Sequence, residues 1–206
     1  MQYTIDQLDA LQEIINIGVG HGANALHKMS QSLVRLQPPL LEVLTPDELQ
    51  AQIEEKTGVE SISVVDLPFR GSFSGTAELV IPSIHADKLV TKLINEGLED
   101  LTHWEVRAGT LTEVGNVVLN AVMGTISNLL RFSLRYSMPC YMERNVQDIT
   151  PHNLRTYGTA IIFARTPFGL EDLGIQGNII LFIEVASFDK LLTAIDNYQS
   201  SLGVIG

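Results

Sequence analysis

Two residue pairs in this chain have the types and spacing to do chemistry. Glu13-x-x-Asn16 is followed by Pro39, and Glu113-x-x-Asn116 by Pro139, with identical spacing and an offset of one hundred residues. Residues three apart share a helix face, so each copy sets a carboxylate beside an amide. The amide carries both a donor and an acceptor, so it can orient a water molecule without taking its proton. Such a device suits an electrophile that is activated elsewhere. The competing reading is of exposed polar residues on otherwise buried helices, with glutamate paired to a lysine. Asparagine is a middling helix former that competes for backbone bonds, and its recurrence at one point of two helices favours a site.

Other catalytic constellations are missing. His21, His27, His85, His103 and His152 are scattered, and none forms the i,i+4 pair of a zinc helix. The GVGHG run has neither the spacing, the Lys-Ser/Thr ending nor the preceding strand of a phosphate loop. No serine lies in a nucleophile elbow, and Cys140 has no basic partner in the sequence. No metal ligand set is expected.

The elements that must position the pairs also come twice. A helix is expected from about Ile5 to Met29, started by Thr4 or Asp6, with Leu8, Leu11, Ile14, Ile15 and Leu26 as its apolar stripe. Gly18, Gly20 and Gly22 are costly in a helix, roughly 1 kcal/mol each against alanine, and point to close packing on another helix or to a break into two helices, the former being favoured. Pro38 and Pro39 force an extended exit. SISVVDLPF and SFSGTAELVIP read as strands, and Ser83 opens a helix that stops at Gly97. The second half repeats this order: a helix from about Thr102 to Leu130, a break at Pro139, strands in YGTAIIFARTPF and GIQGNIILFIEV, and a helix in SFDKLLTAIDNY. GTAELVIPSIHADKLV aligns by eye with GNIILFIEVASFDKLL, including Asp87-Lys88-Leu89 against Asp189-Lys190-Leu191. The expected architecture is one α/β domain over 1–206, with pseudo-repeat halves of about 1–100 and 101–206. Its helix-strand-strand-helix halves share one sheet packed by the long helices. Pro68, Pro82 and Pro167 are expected near strand ends.

With 206 residues, 45% of them apolar and 18% charged, the chain is expected to fold as a globule. A net charge of −11 argues against unaided binding to phosphate backbones or anionic lipid. The lone Cys140 excludes an internal disulfide, and no signal peptide or apolar run of membrane length is read. The expectation is a cytoplasmic protein without nucleic-acid or membrane partners, a monomer by default.

At this point the chain resembles the CheC/CheX/FliY family of bacterial chemotaxis phosphatases. The family signature is Asp or Ser, three residues, Glu, two residues, Asn, twenty-two residues, Pro. The first copy matches in full from Asp9 through Glu13 and Asn16 to Pro39; the second has Gly109 in place of Asp or Ser. Two copies resemble the CheC type, whereas the CheX type has one site and the FliY type adds a flagellar switch domain. The resemblance implies a hydrolase acting on the aspartyl phosphate of a CheY-type response regulator in two-component signalling. It implies that Glu13 and Glu113 contact the receiver's lysine and that Asn16 and Asn116 orient the attacking water. Mg²⁺ would belong to the receiver, with no cofactor held by this chain. A non-catalytic module that binds a receiver or the deamidase CheD is the alternative, and CheD is a further expected partner. Gly109 makes the first site the intact one, with Thr110 or Thr112 as compensation at the second.

Overall fold

The computed structural model describes residues 3–45, 47–48, 61–94, 104–145, 161–184 and 188–203. The expected helix end at Gly97, the helix start at Thr102, the strand start at 157–160, His103, His152 and the side chain of Asp189 lie outside the described residues.

Helix α1 (Ile5–Ser30) starts at Thr4, the first of the two expected caps. Thr4 Oγ1 accepts the Gln7 N–H at 3.2 Å, and Gln7 Oε1 accepts the Thr4 N–H at 3.0 Å, so two otherwise orphaned donors are satisfied reciprocally. Strands β1 (Val34–Leu36), β2 (Leu40–Leu44), β3 (Ser61–Gly71) and β4 (Gly75–Pro82) follow, then helix α2 (Ser83–Ile94). The second half repeats the order with α3 (Trp104–Leu129), β5 (Leu134–Tyr136), β6 (Cys140–Asn145), β7 (Ile161–Leu170), β8 (Ile175–Glu184) and α4 (Phe188–Gly203). A short 3-10 turn at Glu171–Leu173 joins β7 to β8. The helix-strand-strand-helix reading of each half omits β1, β2, β5 and β6. Strands of three to six residues broken by proline carry too little alternation to be read.

All eight strands form one antiparallel sheet in the order β1, β7, β8, β4, β3, β5, with β2 also on β7 and β6 also on β3. The shared sheet is thus built by exchange. The short strands of each half pair with the long hairpin of the other, and β4 meets β8 at the centre. Pro82 ends β4, as expected, but Pro68 and Pro167 lie inside β3 and β7. β6 pairs with β3 as far as Asp66, and β5 resumes at Phe69, so Pro68 faces the break between them. Pro167 likewise faces the break between β2, paired as far as Arg165, and β1, paired from Phe168. A residue without an N–H costs no ladder bond at such a gap.

Helices α1 and α3 lie against the sheet face formed by Val65, Leu67, Leu79, Ile162, Leu181 and their neighbours. They also pack on each other. A Cβ on Gly18 would meet Ile126 Cγ1 at 2.8 Å and Val122 O at 3.1 Å; one on Gly22 would meet Val122 Cγ2 at 2.5 Å and Val118 O at 3.2 Å. The two helices therefore run antiparallel, with backbones closer than side chains would allow. Gly20 faces open space, so the packing reading holds for two of the three glycines.

The other sheet face carries a smaller apolar cluster around Ile62, Val64, Ile180 and Phe182, with a charged group set among it. Glu78 is fully buried on β4, directly across from Asp66 on β3. Arg144 on β6 reaches Asp66 at 3.2 Å. Burial, reinforced by repulsion from Asp66, holds the Glu78 carboxyl well above its ordinary range, and Arg144 opposes this only in part.

Two predictions follow from this packing. Gly18→Leu or Gly22→Leu should destabilise the fold by about 1–3 kcal/mol through overpacking. Gly20→Ala should hold or raise stability, by about 0.5–1 kcal/mol at most. A thermal melt of each variant decides, and a stable Gly22→Leu protein would refute the contact. For Glu78, the native state keeps a proton that the unfolded chain releases around its ordinary value of 4.5, so stability falls as pH rises through that window. Glu78→Gln should therefore gain on the parent protein as pH rises above that value. A gap in melting temperature that narrows as pH rises would contradict the assignment.

Candidate functional site

The first motif lies near the start of α1, on the side turned away from the sheet. Leu11, Ile14 and Ile15 are buried, while Asp9, Glu13 and Asn16 form an exposed stripe one helical turn apart. The chain returns beside them. From Asn16 to Ser30 the helix runs about 21 Å at its 1.5 Å rise. The extended residues 31–39 can span that distance backwards, at roughly 3.3 Å each. Gln31 makes the reversal, in the left-handed region at φ 55°, with its N–H bonded to His27 O. The fixed interval between asparagine and proline is thus a length of helix and its return.

Pro39 ends that return against the motif. Gln12 Nε2 donates to Pro39 O at 3.0 Å, and the Gln37 N–H donates to Pro167 O at 3.0 Å. The result is an open groove of about 470 Å³ between helix and return segment, lined by Asp9, Gln12, Glu13, Asn16, Gln37 and Pro39 among others. Gln12 escaped the sequence reading, although its place between Asp9 and Glu13 on the motif helix was available as a signal.

The second motif repeats the geometry with different neighbours. Arg131 takes the same left-handed conformation as Gln31, at φ 55°, and the Ser137 N–H bonds to Pro68 O at 2.9 Å. Glu113 is exposed, but Asn116 is only half-exposed. Asn120 Nδ2 lies 2.7 Å from Asn116 O and 2.7 Å from Asn116 Oδ1. The start of α3 is held by Arg107, whose guanidinium sits 2.8 Å from Glu143, 3.3 Å from Asp87 and 3.0 Å from Ser63 Oγ. Gln7, the counterpart of Arg107 in α1, makes one long-range bond, to Asp196 at 2.9 Å. Gly109 is exposed, and a Cβ there would meet nothing within 4 Å. Thr110 and Thr112 are both half-buried.

The Gly18 and Gly22 contacts place the crossing of the two antiparallel helices near residues 21 and 121. Glu13 and Glu113 each lie eight residues before it, so they are about 24 Å apart along the helix pair. The structure therefore brings each glutamate to its own asparagine and keeps the two pairs at opposite ends. Among the described residues no His, Cys, Asp and Glu cluster has the make-up of a metal site. His21 bonds to Thr125 at 3.0 Å and His27 to Ser32 O at 2.8 Å. Cys140 opens β6 and is exposed. No described helix is long and apolar enough to cross a membrane.

No family model matches the chain. Among curated proteins it is 25% identical over 138 residues to the CheY-P phosphatase CheC of Bacillus subtilis (strain 168). The match covers 65% of this chain and spans 65% of the relative. Among solved structures, Thermotoga maritima FliY matches with a TM-score of 0.72 at 16% identity, over 98% of this chain and 99% of that one. The CheX–CheY–BeF3–Mg²⁺ complex of Borrelia burgdorferi contains a chain with a TM-score of 0.54 at 19% identity, covering 84% of this chain and 96% of that one. The FliM middle domain of H. pylori matches with a TM-score of 0.59 at 14% identity, over 93% and 99%. The fold is the α/β fold of these proteins. Together with the CheC match, it supports the CheC/CheX/FliY family for this chain.

The open space at Gly109 can be tested directly. Gly109→Asp, which writes the first copy's residue into the second, should leave stability within about 0.5 kcal/mol of the parent, as for an unencumbered surface position. A loss of more than about 1 kcal/mol in denaturant unfolding would mean that α3 needs glycine there for packing.

Proposed function

We propose that this chain hydrolyses the aspartyl phosphate of a CheY-type receiver domain, using both Glu–Asn pairs. The observation that carries the reading is the repeated Glu–Asn pair, set at opposite ends of two packed helices with each glutamate exposed. A fold shared with FliM does not by itself carry an activity, so the activity is read from the site.

Glu13 or Glu113 docks on the receiver's lysine, and Asn16 or Asn116 enters beside the acyl phosphate and orients a water. That water attacks phosphorus, the bond from phosphorus to the aspartyl oxygen breaks, and the aspartate leaves as a carboxylate. The protons of the attacking water end on inorganic phosphate and in solvent. The Mg²⁺ held by the receiver offsets charge on the phosphoryl oxygens. An acyl phosphate is already activated, so a positioned amide without a general base suffices. The chain's acidic balance is compatible with this chemistry, because its contact is carboxylate to lysine and not side chain to phosphate.

The two side chains should fail differently in a receiver dephosphorylation assay with Mg²⁺. In an Asn116→Ala background, where only the first site works, Glu13→Ala should raise KM roughly tenfold by removing a charge-assisted contact. Asn16→Ala should leave docking largely intact and reduce turnover. Equal loss of binding in both would make the asparagine an interface residue. Phosphate-dependent binding by the wild-type chain with no acceleration of phosphate loss would leave a receiver-binding module instead of an enzyme.

A further inference from the structure

The two copies differ at one position that touches the amide itself. Asn120 stands one turn beyond Asn116, and the equivalent position in the first copy is Gly20. Asn120 bonds the backbone carbonyl of Asn116, a group that only accepts, so the bonding end of Asn120 must be its NH₂. The same nitrogen lies 2.7 Å from the side-chain amide of Asn116. Two NH₂ groups cannot bond each other, so the Asn116 oxygen must face Asn120 and its NH₂ must face away. The sense of the amide follows from donors and acceptors alone. Gly20 has no side chain to make this contact with Asn16, and a Cβ there would meet nothing within 4 Å, so there is room for one.

We propose that Asn120 is a positioning residue for the second site, fixing the rotamer and the amide sense of Asn116 before a partner docks. The inference rests on the reading of Asn116 as the water-orienting group. The first site instead leaves the Asn16 amide without that contact, in a groove walled by Gln12 and Pro39. One chain thus carries a pre-set site and an adaptable one. The two differ in how much side-chain freedom is lost on forming the reactive complex. Asn120 supplies the second copy with an ordering contact on the same helix whose Gly109 replaces a polar residue.

The test uses full-length protein carrying Asn16→Ala, so that only the second site turns over. Asn120→Ala should lower kcat by about three- to tenfold at nearly unchanged KM and melting temperature. Asn120→Asp is almost isosteric but offers only acceptors when ionised, so it should turn the Asn116 amide over and lower kcat further. A direct readout needs no receiver. In the free wild-type chain, ¹⁵N relaxation should give the Asn116 side-chain amide a higher order parameter than Asn16, and Asn120→Ala should remove the difference. Gly20→Asn, made where there is room, should raise the order parameter of Asn16. Unchanged kcat with both Asn120 variants, or equal mobility of the two amides in the wild type, would overturn the proposal. Absence of turnover in the wild type would sink the phosphatase reading alone, and the relaxation result would still decide what Asn120 does.

Discussion

Gly18 and Gly22 allow α1 and α3 to meet almost backbone to backbone, and most of the functional geometry depends on that contact. Side chains at either position would push the helices apart and lift them from the sheet they jointly cover. The antiparallel crossing has a second consequence. It sets the two copies of one repeated surface at different ends of the helix pair, which is the arrangement that two-site action would need. Multivalent action follows from geometry of this kind only if both ends can be occupied at once.

The sheet enforces the same arrangement from the other side. Each half lends its short strand pair to the hairpin of the other half. The break in each borrowed pair carries the segment at 37–39 or 137–139, and a proline of the receiving strand faces it where no donor is required. The motif proline therefore belongs to a joint between halves. This is why its distance from the asparagine is fixed: it measures the helix, its left-handed exit at Gln31 or Arg131, and the return to the sheet.

Much of this was legible in the sequence because the physics is local. The alternation of apolar residues in the long strands, the capping signal at Thr4 and the one-hundred-residue offset of Glu–Asn each report a single element or its copy. The exchange of short strands was not legible, since three to six residues beside a proline fit loop and strand equally well. Nor were the left-handed exits, made without the usual glycine, or the burial of Glu78, whose strand pairs with β8 far along the chain at Ile180. In the site, repetition exposed Glu13, Asn16, Glu113 and Asn116. Of the differences between the copies only Gly109 was read; Gln12, Arg107 and Asn120 were missed, since each differs through a contact that only the folded arrangement supplies.

The central claim is that the two asparagines, and no other groups of this chain, align water for attack on a receiver's acyl phosphate. It is tested most directly by the decay of phosphate from a Mg²⁺-loaded, phosphorylated receiver in the presence of the Asn16→Ala/Asn116→Ala double variant. Both glutamates are retained in that protein, so it still docks. The account predicts that the wild-type chain accelerates the decay and that the double variant, while still binding the phosphorylated receiver, returns it to the spontaneous rate. A double variant that remains as fast as the wild type would place the chemistry elsewhere in the molecule.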